Sequence, residues 1–236
     1  LRNLATVFMH RPYHHMPRNA WAMAYLAALG HDAAHGDADA EHELAGYCVA
    51  AQVSVDDALA EWRRGTQACE TDALPSDAYP AAMAVLKAFR KSEMHAAIVD
   101  DKLRLGAKAM MELGNLYTAA LPAWLAAGLD DAAAHDVALD DRDLLVLGYG
   151  SGDAAEAIPA RVAPGWRDAA RAIRFQDALA GAVDLEQAAY AALHDTGQLD
   201  GSREPASGLV IDRIGTRDEP AFQDFGIAYY RYCGRV

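Results

Sequence analysis

The sequence has few cysteines, no long apolar run and no cluster of basic residues, and each shortage closes off a class of protein. Its three cysteines, Cys48, Cys69 and Cys233, are odd in number, widely spaced and without a CxxC pair. That argues against a disulfide framework or a cysteine zinc site and predicts a reducing, cytoplasmic setting. No stretch reaches the roughly 18–20 apolar residues of a membrane span. Lys and Arg number 21 against 34 Asp and Glu, a net charge of -13. Binding a duplex needs clustered Lys and Arg against its phosphates, so nucleic acid is excluded as the main partner. The opening Leu1-Arg2-Asn3-Leu4-Ala5 holds neither an initiator Met nor the basic–apolar–small plan of a signal peptide. The expectation is a piece of a longer polypeptide.

What is present suffices for a sizeable core: 236 residues, 53% of them hydrophobic and 23% charged. Ala5 to Met9 is a short apolar run stopped at Arg11-Pro12, which predicts a buried strand ending at a loop. Asn19 is placed to cap a helix over Ala20 to Leu29 that ends at Gly30, followed by a polar surface excursion from His31 to Glu41. Residues 43–91 carry amphipathic pieces broken at Gly65, Pro75-Ser76 and Pro80, which predicts a helical insert. A further helix is expected over Met94 to Leu113, stopped by Gly114-Asn115.

Leu116 to Leu129 carries no charge, so as a helix it must be covered on every side, for example between two sheets. Leu144 to Leu147 is a buried strand running into Gly148-Tyr149-Gly150-Ser151-Gly152, and Ala154 to Val162 reads as a paired strand or a short helix. Helices are expected over Asp168–Ala180 and Leu185–His194, and strands over Gly208–Ile214 and Gly226–Tyr232. The alternation of strands and helices gives an α/β fold.

Three short sites place unusual residues where a strand ends or a helix begins. The first is His10-Arg11-Pro12-Tyr13-His14-His15. It reads as a polar surface loop, as a metal site, or as a catalytic His10 at the carboxyl end of a strand, where α/β folds put their ligands. Pro12 spoils the i,i+4 helical geometry a metal would use, and no carboxylate is near, so no metal is assigned. The second is Gly114-Asn115-Leu116-Tyr117-Thr118, either ordinary helix punctuation or an Asn amide fixed in a dry place for a developing oxyanion. The third is Gly148 to Asp153. Its G-x-G-x-G spacing is not the dinucleotide fingerprint, and Asp153 would repel a pyrophosphate. Alternating glycines instead let backbone amides approach a ligand closely, or simply make a tight turn. Glu156 is the one carboxylate close to this third site, and the cysteines read as small buried apolar residues.

In this order and separation, the stretches Val7–Pro17, Glu112–Pro122, Leu147–Glu156 and Asp224–Tyr232 resemble the C-terminal half of 3-hydroxy-3-methylglutaryl-CoA synthase, of the thiolase superfamily. The resemblance runs from the first residues to the last and rests on His-x-Pro, Gly-Asn-x-Tyr-Thr and Tyr-Gly-Ser-Gly. It implies a thiolase-like layered αβαβα fold, with this chain supplying mainly the second half as one domain, residues 1–236. The implied reaction condenses acetyl-CoA with acetoacetyl-CoA and hydrolyses the product to 3-hydroxy-3-methylglutaryl-CoA, a mevalonate-pathway isoprenoid precursor, and free CoA. CoA thioesters are substrates and no separate cofactor is implied.

By motif match, His10 would polarise the acetoacetyl ketone. Asn115 would sit near the substrate carbonyls, and Tyr149, Gly150 and Ser151 would bind the condensed product. Where many family members carry a Lys that meets the CoA phosphates, this chain has His15, which leaves Arg11, His15 and Arg18 as phosphate candidates. Nothing here matches the family's nucleophilic Cys or acid/base Glu. These are expected in an N-terminal half of the same polypeptide, so this chain alone should not acetylate. A homodimer is implied by the family. Two other readings stay open: a β-branching condensing enzyme acting on carrier-protein thioesters, which would share all three motifs, and a non-catalytic thiolase-like binding subunit, which would lack the nucleophilic Cys. A nucleotide-binding oxidoreductase comes last.

Overall fold

In the computed structural model, which describes residues 1–67, 79–150, 154–197 and 207–234, the first element is the predicted buried strand. This is β1, Thr6–Met9, whose Val7 and Phe8 are fully buried. Helix α1 follows at His15–Ala34, then α2 at Ala38–Ala51, α3 at Val55–Gln67 and α4 at Pro80–Phe89. The short α5, Glu93–His95, runs into a wide turn at Ala96–Asp100, and α6 covers Ala107–Met111. After a single tight turn at Tyr117–Ala119 comes α7, Ala120–Ala134. The strands β2, Asp143–Gly150, and β3, Ala154–Arg161, form a hairpin, followed by α8 at Trp166–Ile173 and α9 at Phe175–Leu179. These elements lie in a unit spanning Leu1–Gly181; a second unit spans Ala182–Val236. The chain is mixed α/β, and no helix among the described residues is long and apolar enough to cross a membrane.

The sheet of the first unit has the order β1-β2-β3. β1 runs parallel to β2, with Thr6 opposite Leu144 and Met9 opposite Leu147, while β3 runs antiparallel from Asp143–Arg161 to Gly150–Ala154. A parallel pair needs a crossover, and here all of α1 to α7 lie in it. Phe8 locks β1 onto α7: a Cβ at Gly128 would stand 2.2 Å from the Phe8 ring, so only glycine admits it. Trp124 meets Phe8 edge-on at 6.1 Å and donates its Nε1–H to the Leu105 carbonyl at 2.8 Å. Trp21 of α1 does the same to Ile98, at 2.7 Å.

Several expected boundaries move. α1 begins five residues early because Pro17 falls in its first turn, where a missing N–H costs nothing. Asn19 therefore lies inside the helix, and its Oδ1 accepts from Arg90 at 2.6 Å instead of capping. Gly30 is interior too, and the helix continues to Ala34. The supposed excursion shrinks to a turn before α2, which Asp37 caps by accepting from Asp39 N and Ala40 N at 3.0 Å each. Helices α2, α3 and α4 fill much of 43–91, and α3 passes through Gly65 without a break; Pro75-Ser76 and Cys69 lie outside the described residues. The single helix expected over Met94–Leu113 is instead three short turns, broken at Gly106, whose φ of 67° is left-handed. Likewise Arg174, at φ 53°, splits the helix expected from Asp168 into α8 and α9. Ala154–Val162 resolves as strand.

The uncharged helix α7 buries Trp124, Ala127 and Gly128, but Pro122 is exposed and Leu121 and Leu125 are half-buried. The described residues cover one face of it and not every side.

In the second unit, α10, Gln187–Thr196, precedes β4, Gly208–Ile214. β5, Asp218–Glu219, and β6, Phe222–Gln223, pair as a small hairpin, and β4 pairs antiparallel with β7, Ala228–Cys233. Asp224, only 2% exposed, knits the turn together. Its carboxylate accepts from Arg217 N at 2.8 Å, Tyr229 OH at 3.0 Å and Arg213 Nη1 at 3.3 Å. The Arg217 amide, then the Tyr229 hydroxyl and Arg213, hold this carboxyl below its ordinary range against the opposing effect of desolvation.

Candidate functional site

The parallel register decides what lies beside His10. Its own N–H donates to the Leu147 carbonyl at 2.9 Å, extending the β1–β2 ladder by one bond. The next position along β2 is Gly148, which pairs across the hairpin with Glu156. A residue without a side chain thus lies between the histidine and the carboxylate, and a cleft of about 490 Å³ opens there. His10, Tyr149 and Glu156 line it together, over an apolar wall that includes Met9, Met16 and Leu147. The His10 and Tyr149 rings lie 6.1 Å apart, tilted at 49°. Imidazole, phenol and carboxylate from three neighbouring strands, gathered around one cleft, can donate a hydrogen bond to a bound oxygen, accept one from it, or move a proton to or from it.

The structure brings the first and third sequence sites together, and treats the second differently. Asn115 is exposed, and its Oδ1 accepts from Tyr117 N at 2.9 Å, holding a turn in which Tyr117 has φ 51°. The contacts described for it do not reach His10 or Tyr149. The link to the cleft runs through the following helix: a Cβ on Gly148 would stand 4.0 Å from Leu121 Cδ2, so the start of α7 borders β2 at its first glycine. Gly150 ends β2 opposite Ala154. Ser151 lies outside the described residues.

The basic residues after His10 have separate fates. Arg11 is 6% exposed. Its guanidinium donates to the Ala107 carbonyl at 3.2 Å, lies 5.0 Å over the Trp124 ring, and reaches His14 Nδ1 at 3.0 Å. Arginine has no acceptor, so His14 Nδ1 accepts and the ring is held neutral. Burial pushes the His14 pKa down first, and the positive charges of Arg11, His15 and Arg18 add to it. Burial also lowers that of Arg11. His15 is exposed, its ring edge-on to His14 at 5.0 Å, and Arg18 pairs with Asp100. Among the described residues no three His, Cys, Asp or Glu side chains gather as a metal would need.

Sequence reasoning missed Met16 and Pro17 as part of the cleft wall, since the helix was expected to begin at Ala20. A proline two or three residues into a helix is the signal that would have placed them.

No family model and no curated protein matches the chain. Among solved structures it is similar to MvaS in complex with 3-hydroxy-3-methylglutaryl coenzyme A, at 20% identity and a TM-score of 0.58. The match covers 99% of this chain and 42% of that one, so the chain spans less than half of the MvaS length. At that identity the likeness concerns the backbone: this mixed α/β chain shares the fold of a part of MvaS.

Proposed function

We propose that the chain is the acetoacetyl- and product-binding half of a 3-hydroxy-3-methylglutaryl-CoA synthase, with the layered thiolase-like architecture completed by an N-terminal half of the same polypeptide. The observation that carries this reading is the shared cleft of His10 and Tyr149 at neighbouring strand ends, where two of the resembling motifs meet. The fold likeness to a protein solved with 3-hydroxy-3-methylglutaryl-CoA supports it.

In the proposed reaction the acetyl group of acetyl-CoA passes to a cysteine thiol of the other half, releasing CoA. A base of the other half takes a methyl proton from that acetyl thioester, the carbanion adds to the acetoacetyl ketone, and the alkoxide takes a proton back. Water then cleaves the enzyme thioester, freeing the thiol and 3-hydroxy-3-methylglutaryl-CoA. Addition to the ketone builds negative charge on its oxygen, and a preorganised donor lowers that barrier. His10 is that donor, backed by Tyr149. Asn115 and Ser151 hold the thioester and product oxygens, and Gly150 admits the product close to the backbone. His15 and Arg18 meet the CoA phosphates, while Arg11 fixes the turn that leads into α1, which His15 begins. The assembled enzyme is a cytoplasmic homodimer.

Calorimetric titration of the chain with 3-hydroxy-3-methylglutaryl-CoA tests the binding half of this reading. Binding is expected, weakened about tenfold in His10→Ala, the cost of one charge-assisted hydrogen bond. In the complete enzyme the same substitution should slow condensation by about 10²–10³, as for the loss of one oxyanion donor. No binding by the chain, or a condensation rate within a few-fold of the parent, overturns the assignment.

A further inference from the structure

Of the nine histidines, two stand one helical turn apart at the end of α1. His31 lies in its last turn, and His35 follows its final residue, Ala34. The His35 backbone N–H still donates to the His31 carbonyl at 3.2 Å, the i→i−4 bond of a helix, so the two side chains rise from one face. Both residues are exposed, and their rings lie 4.1 Å apart, tilted at 36°.

The same carbonyl settles which ring nitrogen His35 offers. Its Nδ1 lies 2.7 Å from the His31 oxygen. A carbonyl oxygen can only accept, so Nδ1 carries the hydrogen, and in the neutral ring Nε2 keeps its lone pair. An imidazole whose other nitrogen donates to a backbone carbonyl is the arrangement that orients metal-ligating histidines. The spacing agrees, since histidines at i and i+4 reach one ion from a single helix face. Among the described residues no third His, Cys, Asp or Glu side chain joins them. Two nitrogens fall short of the enclosed sites, with three or four protein ligands, in which structural and catalytic zinc resides. They suit an exchangeable ion that keeps water at its remaining positions.

We propose that His31 and His35 chelate a divalent ion of the nitrogen-preferring kind, such as Ni²⁺, Cu²⁺ or Zn²⁺. The ion ties down the last turn of α1. The unfolded chain does not hold the two rings one turn apart and binds the ion more weakly, so the ion stabilises the first unit by mass action. The site is independent of the reading of the His10 cleft.

Ni²⁺ is the probe, titrated by calorimetry into the metal-free 236-residue chain. One tight equivalent per chain is expected, together with a rise in the urea midpoint followed by tryptophan fluorescence. His31→Gln and His35→Gln should each weaken that equivalent by more than the roughly tenfold that loss of an outer-shell partner costs, and each should abolish the rise. Both positions are exposed, and an unchanged circular dichroism spectrum confirms the fold of each variant. His135→Gln, at the exposed end of α7, should alter neither readout. Cu²⁺ should bind more tightly than Ni²⁺, and excess Mg²⁺, which prefers oxygen ligands, should not compete. Tight binding unaltered by either substitution overturns the site. Stoichiometry halved at constant affinity in each variant overturns the chelate, because the rings then bind separately. Displacement of Ni²⁺ by Mg²⁺ overturns the nitrogen ligands in favour of carboxylates.

Discussion

The two units solve the problem of stability in opposite ways. The first, Leu1–Gly181, buries large side chains completely: Phe8, Trp21, Leu26, Phe89 and Trp124 are at most 2% exposed. The second, Ala182–Val236, leaves most of its apolar side chains outside, with Leu209 at 69%, Tyr230 at 63% and Phe225 at 76%. It is held by strand pairing and by the buried Asp224, which gathers a backbone amide, a phenol and a guanidinium. A hydrophobic core yields cooperative stability, whereas a polar hub fixes a local conformation and little else. Two strands alone are marginal in water, so the second unit is the one expected to open first.

The largest effect should come from removing a keystone of the first unit. Phe8→Ala empties the space above Gly128 and beside Trp124, and should cost about 3–5 kcal/mol. Urea unfolding followed by tryptophan fluorescence reads it, because Trp21, Trp62, Trp124 and Trp166 all lie in the first unit. A loss under 1 kcal/mol would mean that Phe8 is not part of a shared core.

A smaller and local effect is expected from Asp224→Asn. The amide keeps the shape of the carboxylate and loses its charge, so Arg213 and Tyr229 lose their common acceptor. Hydrogen exchange should accelerate around Arg217 and Tyr229 while the fluorescence midpoint of the first unit stays where it was. If that midpoint fell as far as in Phe8→Ala, the contrast between the units would be gone.

Acid should separate them most finely. His14 is held neutral in the fold with its pKa lowered, so the unfolded chain binds more protons below its ordinary value of about 6.5. Its contribution to the first unit is therefore present above that value and lost as pH falls through it. Burial lowers the pKa of His95 as well, with the same sign. Asp224 is a carboxyl with a lowered pKa, so its contribution is complete above about pH 4 and is lost only as pH falls through its lower folded value. Melting between pH 7 and 5 should show the first unit weakening, and His14→Gln should flatten that slope. An unchanged slope in the variant would assign the acid sensitivity elsewhere.

Much of this was legible in the residues themselves. The apolar run at Val7 and Phe8, the run at Leu144–Leu147 and the pair Gly208–Ile214 and Gly226–Tyr232 all form strands close to their expected bounds. A strand end pointed to His10 and the motif resemblance to Tyr149, and both line one cleft. What was not legible depends on distant partners. Nothing local to Gly30 distinguishes a helix stop from a landing place for Trp62, which comes from α3. Arg11 looks like a surface charge until Trp124 and the Ala107 carbonyl, far along the chain, enclose it. Asn19 lost its capping role to a proline two residues earlier and to an arginine of another segment. Local chemistry fixes the type of each element, and tertiary contacts choose its ends.

The long crossover between β1 and β2 has a kinetic consequence. Met9 can find Leu147 only after the long loop that carries α1 to α7 has closed, and such distant pairing is slow relative to helix formation. The cleft exists only where those two strand ends meet, so it is absent from every partly folded form in which the helices have formed and the sheet has not. A ligand that needs both His10 and Tyr149 therefore recognises the finished sheet alone, and by mass action it draws the chain toward that state. Its occupancy would count completed molecules.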